Sequence, residues 1–432
     1  MQLLFDLFNR IYNGRKSLLI FIFFASILAS FIFLSLFKNI GPVQHGIPGD
    51  DYLKEYEPVA NNILQGRGPT LRGVLPSHFP PGYPIILSGI FVLSQFTGIE
   101  KLDLIVVFNI ILMAISVCLF FLIVKEFFNK RIALISSFLW VSYPFNLWFV
   151  KNPHTEVPFI FLFFLGIYFY ILTLKRRNLK LAFWGGFFLG LASFVRLIGL
   201  FLPLFLALLA IFLLRSNDLK RKVLVPAILL IGSFVVVLPW AAYSISETGI
   251  FTPFSATRSE GIGIVFGITV LIAPMEDETD RAVLPEDVIN LIERLKTENP
   301  ENLSGLFQFF GQELINRPTP ILKLIWLKLA RVWYATSQQW WETRILLVQL
   351  FYLIPGFLGL IYIIRNYKDK TRDIIFLLSV IFYFWAMAFF NVSILRYMVP
   401  VMGIVIIFSA ITVNIVIDGL VKKFKLYSPC QS

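Results

Sequence analysis

The sequence predicts an all-α polytopic membrane protein of about ten transmembrane helices, with two large extracytoplasmic loops after spans one and seven. Three observations predict it. Mean hydropathy is +0.78, and 57% apolar against 15% charged residues excludes an ordinary soluble domain. The apolar residues fall in runs of about 17–23, each enough helix to cross a roughly 30 Å hydrocarbon core, where helix satisfies the backbone. The basic residues gather in alternate connections, as a multi-pass topology requires.

In chain order the spans fall at about 17–37, 103–124, 132–150, 157–174, 181–197, 198–214, 223–243, 346–364, 373–391 and 398–417. The first resembles a signal peptide, with basic residues before an apolar run containing Ala25 and Ala29. That run continues through Phe37, too long for a signal core, so it reads as an uncleaved anchor. Residues 84–96 are apolar but short. Counting them as a span would turn Lys125–Arg131 outward, so they read as a re-entrant or interfacial segment.

Orientation follows from charge. Arg10, Arg15, Lys16, Lys125, Lys130, Arg131, the 175–180 and 215–222 clusters, Arg365, Lys368, Lys370, Arg372 and the tail lysines share one side. They make up 21 of the 38 basic residues, with six acids beside them. That side is expected to be cytoplasmic, with both termini. The net charge of +12 is then a topology signal, and no nucleic-acid partner is implied. Cys118 lies in a span and Cys430 in the tail, so no disulfide is expected.

Residues 1–432 read as a single membrane domain with no internal repeat. Its first outer loop covers about 38–102 and its second about 244–345. The second opens with a glycine-rich stretch and the acids Glu276, Asp277, Glu278 and Asp280, followed by polar helices near 285–298 and 303–316. Over 319–337, after Pro318, a basic, Trp-bearing amphipathic helix carries Lys323, Lys328 and Arg331. It is expected to lie in the headgroup layer beside Trp340 and Trp341, as an anchor or as a holder of lipid phosphate.

The chemistry points to the outer surface. Asp50 and Asp51 follow the first span, where lipid-borne groups meet water. Tyr56, Ala60 and Leu64 then recur every four residues, so a short amphipathic helix carries the acids at its start and Gly66 ends it. The loop closes with His78-Phe79-Pro80-Pro81-Gly82-Tyr83-Pro84. Glu156 stands in the short second outer connection, where an acid at a membrane edge is costly and often functional. Arg196 ends the fifth span, and the apolar sequence around it offers no pairing acid.

This order of acids, Tyr-Ala-Leu steps, glycine and Pro-Gly-Tyr-Pro closure resembles the first outer loop of the GT-C glycosyltransferases. The similarity is to family-39-like enzymes, including protein O-mannosyltransferases and lipid A aminoarabinose transferases, which also carry large loops after spans one and seven. The resemblance implies a GT-C-type bundle and an inverting transfer. Asp51 would be the general base, with Asp50 as the alternative, because Tyr56 stands five residues after Asp51 where the family has four. Gly190-Leu191-Ala192 followed by Arg196 resembles the family's Gly-Leu-Ala-x-x-x-Lys/Arg, and Arg396-Tyr397 before Pro400 resembles its Arg-Tyr-x-x-Pro. Arg196, Arg396, Lys328 and Arg331 would then hold donor phosphate, with Glu156, His78, Tyr56, Tyr83 and Tyr397 around the substrate.

The implied donor is a polyprenyl-phosphate-linked sugar, hexosyl or pentosyl, and the acceptor a hydroxyl. A departing lipid phosphate needs no general acid; one carboxylate to take the hydroxyl proton and cations to stabilise the phosphate suffice. Neither a Gly-rich nucleotide cradle nor an Asp-x-Asp pair is present to hold a nucleotide sugar. No cofactor is required. A divalent metal at the 276–280 acids is conceivable but unsupported, and one histidine without spaced partners makes no metal site. A transporter or lipid flippase is the competing reading. It is weakened because charge is scarce mid-membrane and the unusual residues cluster at the outer surface. Another lipid-dependent transferase, such as a polysaccharide ligase, would also use outer arginines. The expected location is a prokaryotic plasma membrane, with the site facing outward.

Overall fold

A computed structural model describes residues 14–37, 49, 51–75, 79–176, 178–214, 219–249, 284–298, 300, 303–336, 341–390 and 393–427. The elements are helical, and among these residues the one β-type pairing is an isolated bridge between Leu71 and Val74. Asp50, His78, the 276–280 acids and Trp340 lie outside the described residues.

Among the described residues seven helices are long and apolar enough to cross a membrane: α1 (Arg15–Phe37), α4 (Lys101–Phe127), α7 (Glu156–Arg176), α10 (Leu219–Thr248), α14 (Glu342–Asn366), α15 (Thr371–Phe390) and α16 (Val399–Tyr427). Shorter apolar helices are α3 (Gly82–Thr97), α8 (Leu179–Val195) and α9 (Leu202–Leu213). The short 84–96 segment thus lies within the 16-residue helix α3, which Gly98 ends in a left-handed conformation.

The expected span over 132–150 is corrected. It is divided into α5 (Lys130–Val141) and the single turn α6 (Pro144–Trp148). Proline disfavours helical geometry in the residue before it, and Tyr143 accordingly has ψ 110°. Further on, α8 stops at Val195 and Arg196 takes an extended conformation, so the fifth and sixth spans meet at a break. In the loop after α1, loop one, a π-helical turn (Tyr52–Tyr56) runs into α2 (Glu57–Leu64). Tyr56 and Ala60 are buried, and Gly66 follows with φ 72°, matching the four-residue pattern.

The chain divides into two compact units. One holds residues 1–256, 352–377 and 402–432; the other holds 257–351 and 378–401. In the first unit α7 and α8 form an antiparallel hairpin whose α8 limb packs closely on α10. A β-carbon on Gly186 would lie 1.8 Å from the Leu229 carbonyl oxygen, an approach that only glycine permits. In the second unit α11 (Glu286–Glu298), α12 (Leu303–Asn316) and α13 (Pro318–Arg331) close around Leu291, Ile292, Phe309 and Leu324. Arg294 grips Glu313 with two 2.8 Å hydrogen bonds, and Lys323 reaches Asp287 at 2.7 Å. The expected helix over 319–337 therefore ends at Arg331. Leu322, Ile325 and Trp326 are outward together with Lys323, while Lys328 and Arg331 are buried.

Candidate active site

In the first unit the site is built where loop one meets the end of α8. Asp51 is exposed at the start of the π-helical turn, and its side chain makes no capping bond to that turn. Beneath it Tyr52 is buried, which pushes its phenol above the usual range, with Glu57 adding to the effect. Tyr56 packs edge-on against Phe79 and Tyr83, with ring centroids 5.1 and 5.2 Å away. Glu57 meets Lys101 at 3.1 Å, and Lys101 also stands 4.2 Å from the centre of the Phe91 ring, tying the loop to α3 and α4.

Gly82 makes the decisive contact. A β-carbon there would fall 2.2 Å from the Phe194 carbonyl oxygen, so the Pro-Pro-Gly closure lies directly on the last turn of α8. Leu75 supports the same contact, packing with Val237 and Trp240 while Phe194 and Leu197 close around it. Loop one is thereby seated two residues from Arg196.

The break at Arg196 is locally fixed. Its N–H donates to Ala192 O at 2.9 Å, and Ser193 Oγ donates to both Leu189 O (2.9 Å) and Gly199 O (2.7 Å). The guanidinium is buried and forms an ion pair with Glu156, which is fully buried as the first residue of α7. Each charge suits its helix end: the amino terminus of α7 favours the carboxylate, the carboxyl terminus of α8 the cation. The sequence beside Arg196 offers no pairing acid, and the fold supplies one from elsewhere. Glu156 is 40 positions away in sequence, and the α7–α8 hairpin returns it to contact.

The connection before Glu156 holds a residue that sequence reasoning missed. Lys151 is fully buried, donates to the Phe37 carbonyl at the end of α1 and stands 5.2 Å from the centre of the Phe33 ring. Burial pulls its ammonium down to about 8. Asn109 of α4 donates to Asn152 O at 3.1 Å, so the connection is pinned from two helices. A basic residue in a short connection expected to face outward runs against the charge asymmetry, and that was the available signal.

The second unit gathers the remaining candidates. Arg331 donates to Glu342 at 2.8 Å, and both are buried. Glu342, also missed, is the first residue of α14 and lies 3.4 Å from the Thr336 N–H. Lys328 is buried, 5.6 Å from the centre of the Phe389 ring, and burial pulls it down to about 7. Leu395 N–H donates to Ala335 O at 2.8 Å, holding the turn that carries Arg396 and Tyr397 against the segment after α13. Arg396 and Tyr397 are half-buried there. Among the described residues no group of three His, Cys, Asp or Glu side chains is placed to hold a metal ion.

Known proteins can be set beside this geometry. Residues 78–243 match the family described as dolichyl-phosphate-mannose-protein mannosyltransferase, a stretch that runs from the loop-one closure through Arg196 to α10. No curated protein matches the chain. Among solved structures, the archaeal oligosaccharyltransferase AglB from Archaeoglobus fulgidus, in complex with an inhibitory peptide and a dolichol-phosphate, is 14% identical with a TM-score of 0.56. That match covers 97% of this chain and 52% of AglB. An Archaeoglobus fulgidus oligosaccharyltransferase in the apo form gives a TM-score of 0.59 at 14% identity, over 95% of this chain and 52% of that one. ArnT from Cupriavidus metallidurans, bound to undecaprenyl phosphate, is 12% identical with a TM-score of 0.53, over 93% and 61%. The chain thus spans about half the length of the oligosaccharyltransferase structures. The chain shares the overall fold of these structures, and residues 78–243 carry the dolichyl-phosphate-mannose-protein mannosyltransferase family match.

Proposed function

We propose that the protein is a membrane glycosyltransferase that moves a hexosyl or pentosyl group from a polyprenyl-phosphate donor to a hydroxyl acceptor on the extracytoplasmic side. A loop-one aspartate, Asp51 or its neighbour Asp50, accepts the hydroxyl proton as the oxygen attacks the anomeric carbon. The bond from that carbon to the phosphate oxygen breaks on the opposite face, and the polyprenyl phosphate leaves with inverted configuration at the sugar. Its weak basicity makes a second, acidic carboxyl unnecessary, unlike glycoside hydrolysis. Arg196 stabilises the departing phosphate through its guanidinium, whose five N–H donors match phosphate geometry.

The observation that carries this reading is the seating of loop one on the end of α8, in a chain with the GT-C fold. It joins the segment bearing Asp51 to the break bearing Arg196. Dolichol-phosphate in AglB and undecaprenyl phosphate in ArnT support a lipid-phosphate carrier here as well. In the first unit Tyr56 and Tyr83 line the sugar; the second unit carries the cations Arg331, Lys328 and Arg396, with Tyr397 next to Arg396.

The test is incubation of the purified chain in bilayer discs with a panel of lipid-phosphate monosaccharides, and mass spectrometry of the acceptor products. Transfer should fall by about 100-fold or more on removal of the base, as for other general bases. Retained transfer in Asp51→Asn, Asp50→Asn and the double variant alike would overturn the assignment of the base. Absence of transfer from every lipid-phosphate sugar by the wild type would overturn the function.

A further inference from the structure

At the far end of α7 from Glu156, the first unit encloses a cavity of about 590 Å³. Ile171, Leu174 and Lys175 line it, 15 to 19 residues along α7 from Glu156. At 1.5 Å per residue that is about 22–28 Å, so its occupant touches nothing in the site above. The floor is apolar, completed by Phe127 of α4, Leu213 of α9 and Phe376 of α15. The mouth is charged, with Lys175, Asp369, Lys370, Arg372 and Asp373.

Some of those charges are already engaged. Lys370 donates to Phe127 O at 2.8 Å and stands 3.7 Å from Asp373. Lys175 lies 3.2 Å from Glu126 and 5.4 Å from the centre of the Phe127 ring. Both lysines therefore sit at the carboxyl terminus of α4, whose carbonyls attract cations. Asp369 and Arg372 are exposed at the mouth and form no ion pair among the described residues.

We propose that this cavity binds an aminophospholipid: its phosphodiester on Arg372 beside the two lysines, its primary ammonium on Asp369, and the first acyl methylenes on the apolar floor. The volume is that of a small-ligand site. Basic pockets between helices on the Lys/Arg-rich side are where phospholipid headgroups bind. A charged mouth above an apolar floor fits an amphiphile, whereas a free phosphate ion would leave the floor empty. A headgroup with no ammonium would bring its phosphate against an uncompensated Asp369, which selects for the amine.

Native mass spectrometry of the purified full chain tests this, with phosphatidylethanolamine, phosphatidylglycerol and inorganic phosphate as probes. Wild type should retain phosphatidylethanolamine in preference to phosphatidylglycerol. Arg372→Gln should weaken the retained lipid about tenfold, the scale of one lost charge-assisted hydrogen bond. Asp369→Asn should abolish the preference between the two lipids. Both positions are exposed, and circular dichroism checks that helix content is kept. Equal retention of both lipids by wild type, retention unchanged in Arg372→Gln, or displacement of the lipid by inorganic phosphate would each overturn the proposal.

Discussion

Removing either partner of the Glu156–Arg196 pair strands a charge where water cannot reach it. Glu156 is 0% and Arg196 8% exposed. Opposite charges about 4 Å apart attract by about 4 kcal/mol at an effective dielectric near 20, and breaking a buried pair from one side costs about 3–5 kcal/mol. For a chain of 432 residues, the per-residue entropy of globular unfolding gives about 0.9 kcal/mol per kelvin, so the expected fall in Tm is about 3–6 °C. Arg196→Gln should fall further than Glu156→Gln, because the acid left behind is the more deeply buried partner. The double variant replaces two charges by two amides that can hydrogen-bond to one another, and should recover most of the loss. Thermal melts of the three variants in one detergent measure it, as a double-mutant cycle. Losses that simply add, or an unmoved Tm in either single variant, would show that the pair does not hold the hairpin together.

Further outcomes follow from other contacts. Gly82→Ala places a methyl against the Phe194 backbone, which cannot swing aside; a loss of about 1–3 kcal/mol in stability and a fall in sugar transfer are expected, read by melts and by product formation. Arg331→Gln should lower Tm while Arg331→Gln with Glu342→Gln recovers part of it, since that pair is also buried. Lys328, pulled down to about 7, binds fewer protons folded than unfolded up to the ordinary lysine value of 10.5. Its contribution to stability therefore rises with pH between about 7 and 10.5, and is smallest below 7 where both states are charged. Melts of wild type against Lys328→Met across pH 6–10 should show a flatter dependence in the variant.

Much of this was legible in single residues and short periods. The four-residue recurrence of Tyr56 and Ala60 marked α2, and Gly66 marked its end, because helix geometry is local. Pro144 was equally readable as a helix breaker, and a span drawn through it put hydropathy ahead of backbone chemistry. The Glu156–Arg196 pair was not legible, although both residues were singled out. Contact between them depends on the length and packing of the whole α7–α8 hairpin, which no local pattern encodes. The inward turn of Lys328 and Arg331 was hidden for a similar reason. On a helix with apolar residues on most sides, the core formed by α11 and α12 decides which face is buried.

The shortness of the helices around the site has a consequence for the lipid. The 12 residues of α9 reach about 18 Å, and the 17 of α8 reach about 26 Å, against a hydrocarbon layer near 30 Å. Such a mismatch draws the surrounding leaflets inward at modest cost. The hydrocarbon layer should therefore be thinned beside the Arg196 break, bringing headgroups down to its depth. A prenol carrier drifting sideways through that dimple would meet the protein with its phosphate already at the right height.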